Sequence, residues 1–221
     1  MGIQWVPDLF PAANEYLWLL SRGYPQKSSL KMVGDKFGLT RDMRQVLYRG
    51  ISAEEKAKAR RQRIGSVSPG EVVLIDTYNV LFTVNNYLLG SPLFISNDGL
   101  LRDAGEMRGR IINKPIFSRS IDLLLETLKD WPGVTFIQYL DEPIPHSGHL
   151  SIELSKDMVH MGIEGEAFAV KSPDHMLIHE ERDAICTSDG GIIDQCSCKI
   201  IDLPGYLLQK YFQADFPLLV V

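Results

Sequence analysis

The chain has 221 residues, 45% of them hydrophobic and 23% charged, with a formal net charge of −5. These ordinary globular proportions exclude a wholly disordered, collagen-like or coiled-coil chain. Three cysteines are too few for a disulfide scaffold, and no apolar run reaches the ~18 residues of a membrane helix, so a reducing cytoplasm and no membrane partner are expected.

The net charge is an average of two opposite populations. Up to Gly70 there are 12 Lys and Arg against 6 Asp and Glu; beyond it there are 11 against 22. Such asymmetry points to separate tasks, one of them facing a polyanion. The stretch from Gly65 to Gly70 (Gly-Ser-Val-Ser-Pro-Gly) reads as a linker, which predicts domains at 1–65 and 71–221.

The first part reads as helices. Residues 11–20 carry an apolar stripe at Tyr16, Leu17, Leu19 and Leu20. Ser28 or Ser29 is placed to cap a second helix that Gly38 ends. Thr40 is placed to cap a third, and Ser52 with Glu55 forms a capping box for a fourth. Short helices joined by Gly38-Leu39-Thr40 have the outline of a helix-turn-helix. Lys31, Lys36, Arg41, Arg44, Arg49, Arg60 and Arg61 are the candidate nucleic-acid contacts, against the plainer reading of a solvated basic surface.

From Glu71 the texture becomes α/β. Val72–Asp76 is a continuous apolar run ending in an acid, as in a strand buried on both faces of a parallel sheet. A helix over 79–89 follows, then a hairpin around Asn97-Asp98-Gly99 and a helix over 121–128. Residues 134–141 read as the next strand and 147–161 as a helix, while Ser172-Pro173-Asp174 opens another. Strands over 184–189 and 199–202 and a helix over 204–212 close the chain.

Four of these strands end in aspartate: Asp76, Asp141, Asp189 and Asp202. In an open parallel sheet the ligand crevice lies beyond the carboxyl ends of the strands. Carboxylates gathered there repel one another unless a cation neutralises them, and hard oxygen donors suit Mg²⁺ or Mn²⁺. A single aspartate after a strand carries little weight, because Asp is common in turns and caps. Asp174 also fits a purely structural role in the first turn of a helix.

The run Val72-Val73-Leu74-Ile75-Asp76-Thr77-Tyr78-Asn79-Val80-Leu81 resembles the opening strand of the NYN branch of PIN-like nucleases. Ser172 to Ile178, with Ile185-Cys186-Thr187-Ser188-Asp189, resembles the later part of that domain. The resemblance implies a three-layer PIN-like α/β sandwich with a mostly parallel sheet behind a small all-α domain. It also implies a divalent-metal-dependent phosphodiesterase acting on RNA. By that resemblance Asp76, Asp174 and Asp189 bind the metal and Asn79 steadies the site. Asp141 is a further ligand, and Glu106 or Asp103 stands for the remaining acid. Thr77 departs from the small glycine of the pattern, and a long insertion separates the first two core strands. The alternative is a nucleic-acid-binding or regulatory protein whose PIN-like domain is catalytically silent.

Arg22-Gly23-Tyr24-Pro25 and Leu30-Lys31-Met32-Val33-Gly34-Asp35 also resemble motifs of a mainly archaeal family of paired domains of unknown function. Other chemistries fit less well. A haloacid-dehalogenase site needs a second Asp where Tyr78 stands, and no P-loop is present. His175 and His179, four apart, with Cys196 and Cys198 are weighed as zinc ligands against buried structural cysteines. His146 and His149 are weighed as substrate-facing residues against exposed loop histidines. The sequence leaves open whether the chain forms a homo-oligomer.

Overall fold

The computed structural model describes residues 9–104 and 114–219. In chain order these form α1 (Leu9–Ser21), α2 (Gln26–Lys36), α3 (Arg41–Gly50), α4 (Glu54–Arg61), β1 (Val72–Asp76), α5 (Thr77–Leu88), β2 (Leu93–Ile95) and β3 (Leu101–Asp103). There follow α6 (Lys114–Leu128), β4 (Thr135–Asp141), α7 (Ser147–Met161), β5 (Gly165–Val170), α8 (Pro173–His179), β6 (Ala184–Cys186), α9 (Gly190–Ile193), β7 (Lys199–Ile200) and α10 (Leu203–Phe212). They divide into two units, one of residues 9–62, 86–104 and 214–219, the other of 63–85 and 114–213.

The first unit is largely helical. Burial of Leu9, Ala12, Ala13, Tyr16 and Leu19 follows the helical period along α1. Thr40 caps α3 as its sequence predicts, its hydroxyl accepting from the Met43 N–H at 3.3 Å. Two other caps differ from expectation. α2 starts directly behind Pro25, so Ser28 and Ser29 lie inside the helix. α4 starts behind Ala53, and the Ser52 hydroxyl instead takes a hydrogen bond from Arg60 at 2.9 Å.

Sequence alone divides the chain once, near 65–70, whereas this unit also draws in two later pieces. The antiparallel hairpin β2–β3 turns at Gly99, whose φ of 87° suits glycine. The chain end binds it, Ile95 N–H to Pro217 O at 2.9 Å and Leu219 N–H to Ile95 O at 2.7 Å. The physical cause is apolar area: Val46, Leu47 and Ile51 share a buried core with Phe94 and Leu219. A Cβ on Gly50 would sit 2.5 Å from both Phe94 and Leu219, so only glycine lets them pack there. In the turn of the hairpin, the fully buried Asp98 carboxylate lies between Arg60 at 2.8 Å and Arg102 at 2.7 Å.

The second unit is α/β. Its sheet has the order β5-β4-β1-β6-β7, with every pairing parallel. β1 is the central strand, which explains its unbroken apolar run. Asp76 stands in register with Tyr139 of β4. α7 spans the residues its sequence predicts, while α6 begins earlier, at Lys114.

β5 has no counterpart in the sequence reading. It is a half-exposed edge strand that opens on glycine and carries a weak apolar signal. Its outer rim is closed by Ser155 of α7, whose hydroxyl accepts from the Ala167 N–H at 2.9 Å and lies 3.3 Å from its carbonyl oxygen. Among the described residues, no helix is long and apolar enough to cross a membrane.

Candidate metal centre

Sheet topology sets one edge apart. The chain leaves β1 toward β4 and β5 on one side, then places β6 and β7 on the other. The crevice of an open parallel sheet forms where strand order reverses in this way, beyond the strand carboxyl ends. Asp76 terminates β1 there, and Thr187-Ser188-Asp189 follow β6.

Hydroxyl and amide groups tie these segments together. Thr187 Oγ1 donates to Asp76 Oδ2 at 2.9 Å and accepts from the Asp189 N–H at 3.2 Å. The Asn79 N–H donates to Asp76 Oδ1 at 3.4 Å. Asn79 Oδ1 accepts from both the N–H and the hydroxyl of Ser188, at 2.9 and 3.0 Å. One turn of α5 therefore holds both the first aspartate and the loop leaving β6. Thr187 and Ser188, which carry the bonds from this loop to Asp76 and Asn79, have no distinguishing signal in the sequence beside the more conspicuous Asp189.

Three carboxylates act on one another at this edge. Burial pushes the Asp76 carboxyl up to about 7, with the negative charges of Asp174 and Asp141 adding to the rise. Burial also raises Asp141, and Asp174 raises it further. Asp174 is set in the first turn of α8, where Ser172 accepts from the His175 N–H at 3.3 Å and Pro173 occupies the first turn. Beside them the Tyr78 hydroxyl is shared with Ser147 Oγ at 2.8 Å, and its pKa is raised by burial and then by the Asp141 charge.

The remaining predicted ligands lie elsewhere or are otherwise engaged. Asp189 Oδ1 accepts from the N–H groups of Gly191 at 2.6 Å and Ile192 at 3.4 Å, so this carboxylate caps α9. Asp202 likewise caps α10 through the Gly205 N–H at 3.1 Å. Asp103 accepts from Arg49 at 2.9 Å, and Glu106 lies outside the described residues. Among the described residues, no three His, Cys, Asp or Glu side chains are placed to hold a metal ion together. The donors are nonetheless hard carboxylate oxygens, which suit an ion that keeps several waters and takes one or two carboxylates directly.

Most of the candidate nucleic-acid contacts face acids of their own unit. Lys31 pairs with Asp35 at 2.7 Å, Lys36 with Glu15 at 2.6 Å, and Arg61 with Glu54 at 2.7 Å. Arg44 reaches Asp35 at 2.9 Å and the Leu39 carbonyl at 3.0 Å, while Arg49 holds Asp103. Arg41 opens α3 and is exposed. Arg60 must be withdrawn from the set, because it is buried against Asp98 and Ser52.

Among the described residues, the histidines and cysteines are not gathered into a zinc site. His175 and His179 stack at 4.1 Å on α8, and the Cys196 thiol points to the Leu177 carbonyl at 3.3 Å. Cys186 is buried, and all three cysteines are free thiols. His149 pairs with Glu153 along α7 at 3.1 Å, and His146 precedes that helix with a φ of 72°.

Residues 8–63 match the family described as a protein of unknown function (DUF434), and residues 67–206 match a domain of unknown function (DUF5616). Uncharacterized protein MJ0935 of Methanocaldococcus jannaschii is 27% identical over 195 residues, covering 87% of this chain and 92% of that protein. No solved structure matches the chain. The match over 67–206 takes in the whole parallel sheet and more than half the chain, which therefore belongs to the DUF5616 family.

Proposed function

We propose that the second unit is a PIN-like domain that hydrolyses phosphodiester bonds of RNA with Mg²⁺ or Mn²⁺. What carries the proposal is that Asp76 ends β1 at the carboxyl edge of a parallel sheet, where it feels the negative charges of Asp141 on β4 and Asp174 on α8. Like charges in a desolvated cleft are unfavourable without a counter-ion.

Asp76, Asp141 and Asp174 would hold the ion, one or two of them directly and the rest through its waters. A divalent ion bound there supplies an acidified water for attack on phosphorus and offsets charge on the leaving oxygen. Thr187 and Asn79 fix the rotamer of Asp76, so that the carboxylate needs no reorganisation when it is loaded. Asp189 serves the site indirectly, by ordering the turn into α9 and presenting its own N–H to Thr187.

Single-stranded RNA and DNA incubated with Mn²⁺, Mg²⁺ or EDTA test the proposal. RNA is cut with either metal and not in EDTA, and Asp76→Asn and Asp174→Asn abolish cutting while leaving the fold intact. Absence of cutting under every metal condition, with RNA still bound, would favour a nucleic-acid-binding protein with a silent catalytic domain.

A further inference from the structure

Along α1 the residues Phe10, Asn14, Trp18 and Arg22 recur every fourth position and form one exposed row running off the end of the helix. Phe10 is 41% exposed and Trp18 51%, although the opposite face of the helix is fully buried. Single exposed apolar residues are normal; here two exposed aromatics share one helix face with an arginine. The Arg22 guanidinium lies 3.8 Å over the Trp18 ring, so a cation covers one face of the ring and leaves the other for a base to stack on.

We infer that this row is a stacking platform for the bases of a single-stranded nucleic acid. Charge favours that occupant. The described residues of this unit carry 12 Lys and Arg against 8 Asp and Glu, so cations remain in excess when every acid is paired. The row itself has no carboxylate, and Glu15, the acid nearest to it on α1, is neutralised by Lys36. Exposed Tyr24 and Lys27 continue the aromatic and basic character just past the helix. Phe10 and Trp18 are eight residues apart, about 12 Å along a helix. That spans three or four stacked nucleotides at roughly 3.4 Å each. Aromatic rings with arginine recognise single strands because every base has a face to stack, whereas duplex bases are hidden.

The inference shares with the proposed function the premise that nucleic acid is the ligand, but it does not depend on cleavage. The test uses the full chain, a short fluorescein-labelled single-stranded RNA in EDTA, and anisotropy. Trp18→Ala and Phe10→Ala each raise Kd about tenfold, Trp18→Tyr stays near wild type, and a duplex of the same sequence binds more weakly. Circular dichroism and melting confirm that these exposed substitutions leave the fold unchanged. Wild-type affinity in both alanine variants overturns the inference, as does failure of the wild type to bind the strand. So does a loss of self-association in the variants with RNA affinity unchanged, which would make a second copy the occupant. Trp18-dependent binding without any cutting would leave the platform standing while the nuclease proposal fell; cutting with Trp18-independent binding would do the reverse.

Discussion

Thr187 Oγ1 stands 2.9 Å from Asp76 Oδ2, joining the loop after β6 to the last residue of β1 across the reversal in strand order. Both residues are buried, so the bond aims a carboxylate that water does not solvate freely. Thr187→Val keeps the shape and removes the hydroxyl. Loss of one buried hydrogen bond to a carboxyl group costs about 1–3 kcal/mol, read as a lower urea midpoint with unchanged m. Under the proposed function the same variant lowers the rate of RNA cleavage more than tenfold, because Asp76 is no longer held in one rotamer.

Asn79 makes a separable prediction. Its side-chain oxygen takes two hydrogen bonds from Ser188. Asn79→Ala leaves the Ser188 N–H without its partner and costs about 1–3 kcal/mol. Asn79→Asp keeps both acceptor bonds and adds a fourth negative charge near Asp76, so it lowers stability more at pH 8 than at pH 5.

Asp76 itself gives the metal-free protein a pH signature. Its carboxyl titrates at about 7 in the folded chain, against about 3.9 unfolded. Between those values the folded state binds the extra proton, so stability falls as pH rises from about 4 to 7 and is level above. The slope approaches 1.4 kcal/mol per pH unit at most. Asp76→Asn flattens this part of the curve and is more stable than the wild type at pH 8. Denaturant titrations in EDTA at several pH values measure it; an identical slope in the variant contradicts the assigned burial.

In the first unit, Asp98 lies buried between Arg60 and Arg102. Removing one partner of a buried ion pair leaves uncompensated charge, and Asp98→Ala is expected to cost about 3–5 kcal/mol. Arg60→Met in the same background recovers part of the loss, since one of the orphaned charges is gone. Thermal melting of the single and double variants reads the coupling.

The elements most legible in the sequence are those with strong local signals. β1 shows as an apolar run, α7 as an amphipathic stretch, α8 through Ser172-Pro173, and the β2–β3 hairpin through Asn97-Asp98-Gly99. β5 was hidden because an edge strand needs little apolar character on its outer side. The recruitment of residues 86–104 and 214–219 into the helical unit was hidden because Phe94 and Leu219 meet Val46, Leu47 and Ile51 only in three dimensions. At the site, Asp76, Asp141, Asp174 and Asn79 were visible as residue types after strands or in a first helical turn. Asp189 was visible too, and its bonds to Gly191 and Ile192 show that it caps α9, a role that spacing does not distinguish from a ligand's. Charge alone could not show that Arg60 has a buried acid opposite it.

The most direct test of a single cation site shared by Asp76, Asp141 and Asp174 is Mn²⁺ affinity as a function of pH. Calorimetry on the wild type, Asp76→Asn and Asp174→Asn measures it. Because the Asp76 proton must leave before the carboxylate can ligate, wild-type affinity rises about tenfold per pH unit up to about 7 and levels off above. Asp76→Asn binds weakly with no such rise, and Asp174→Asn binds weakly at every pH. Wild-type Mn²⁺ affinity in both variants, independent of pH, would contradict the site.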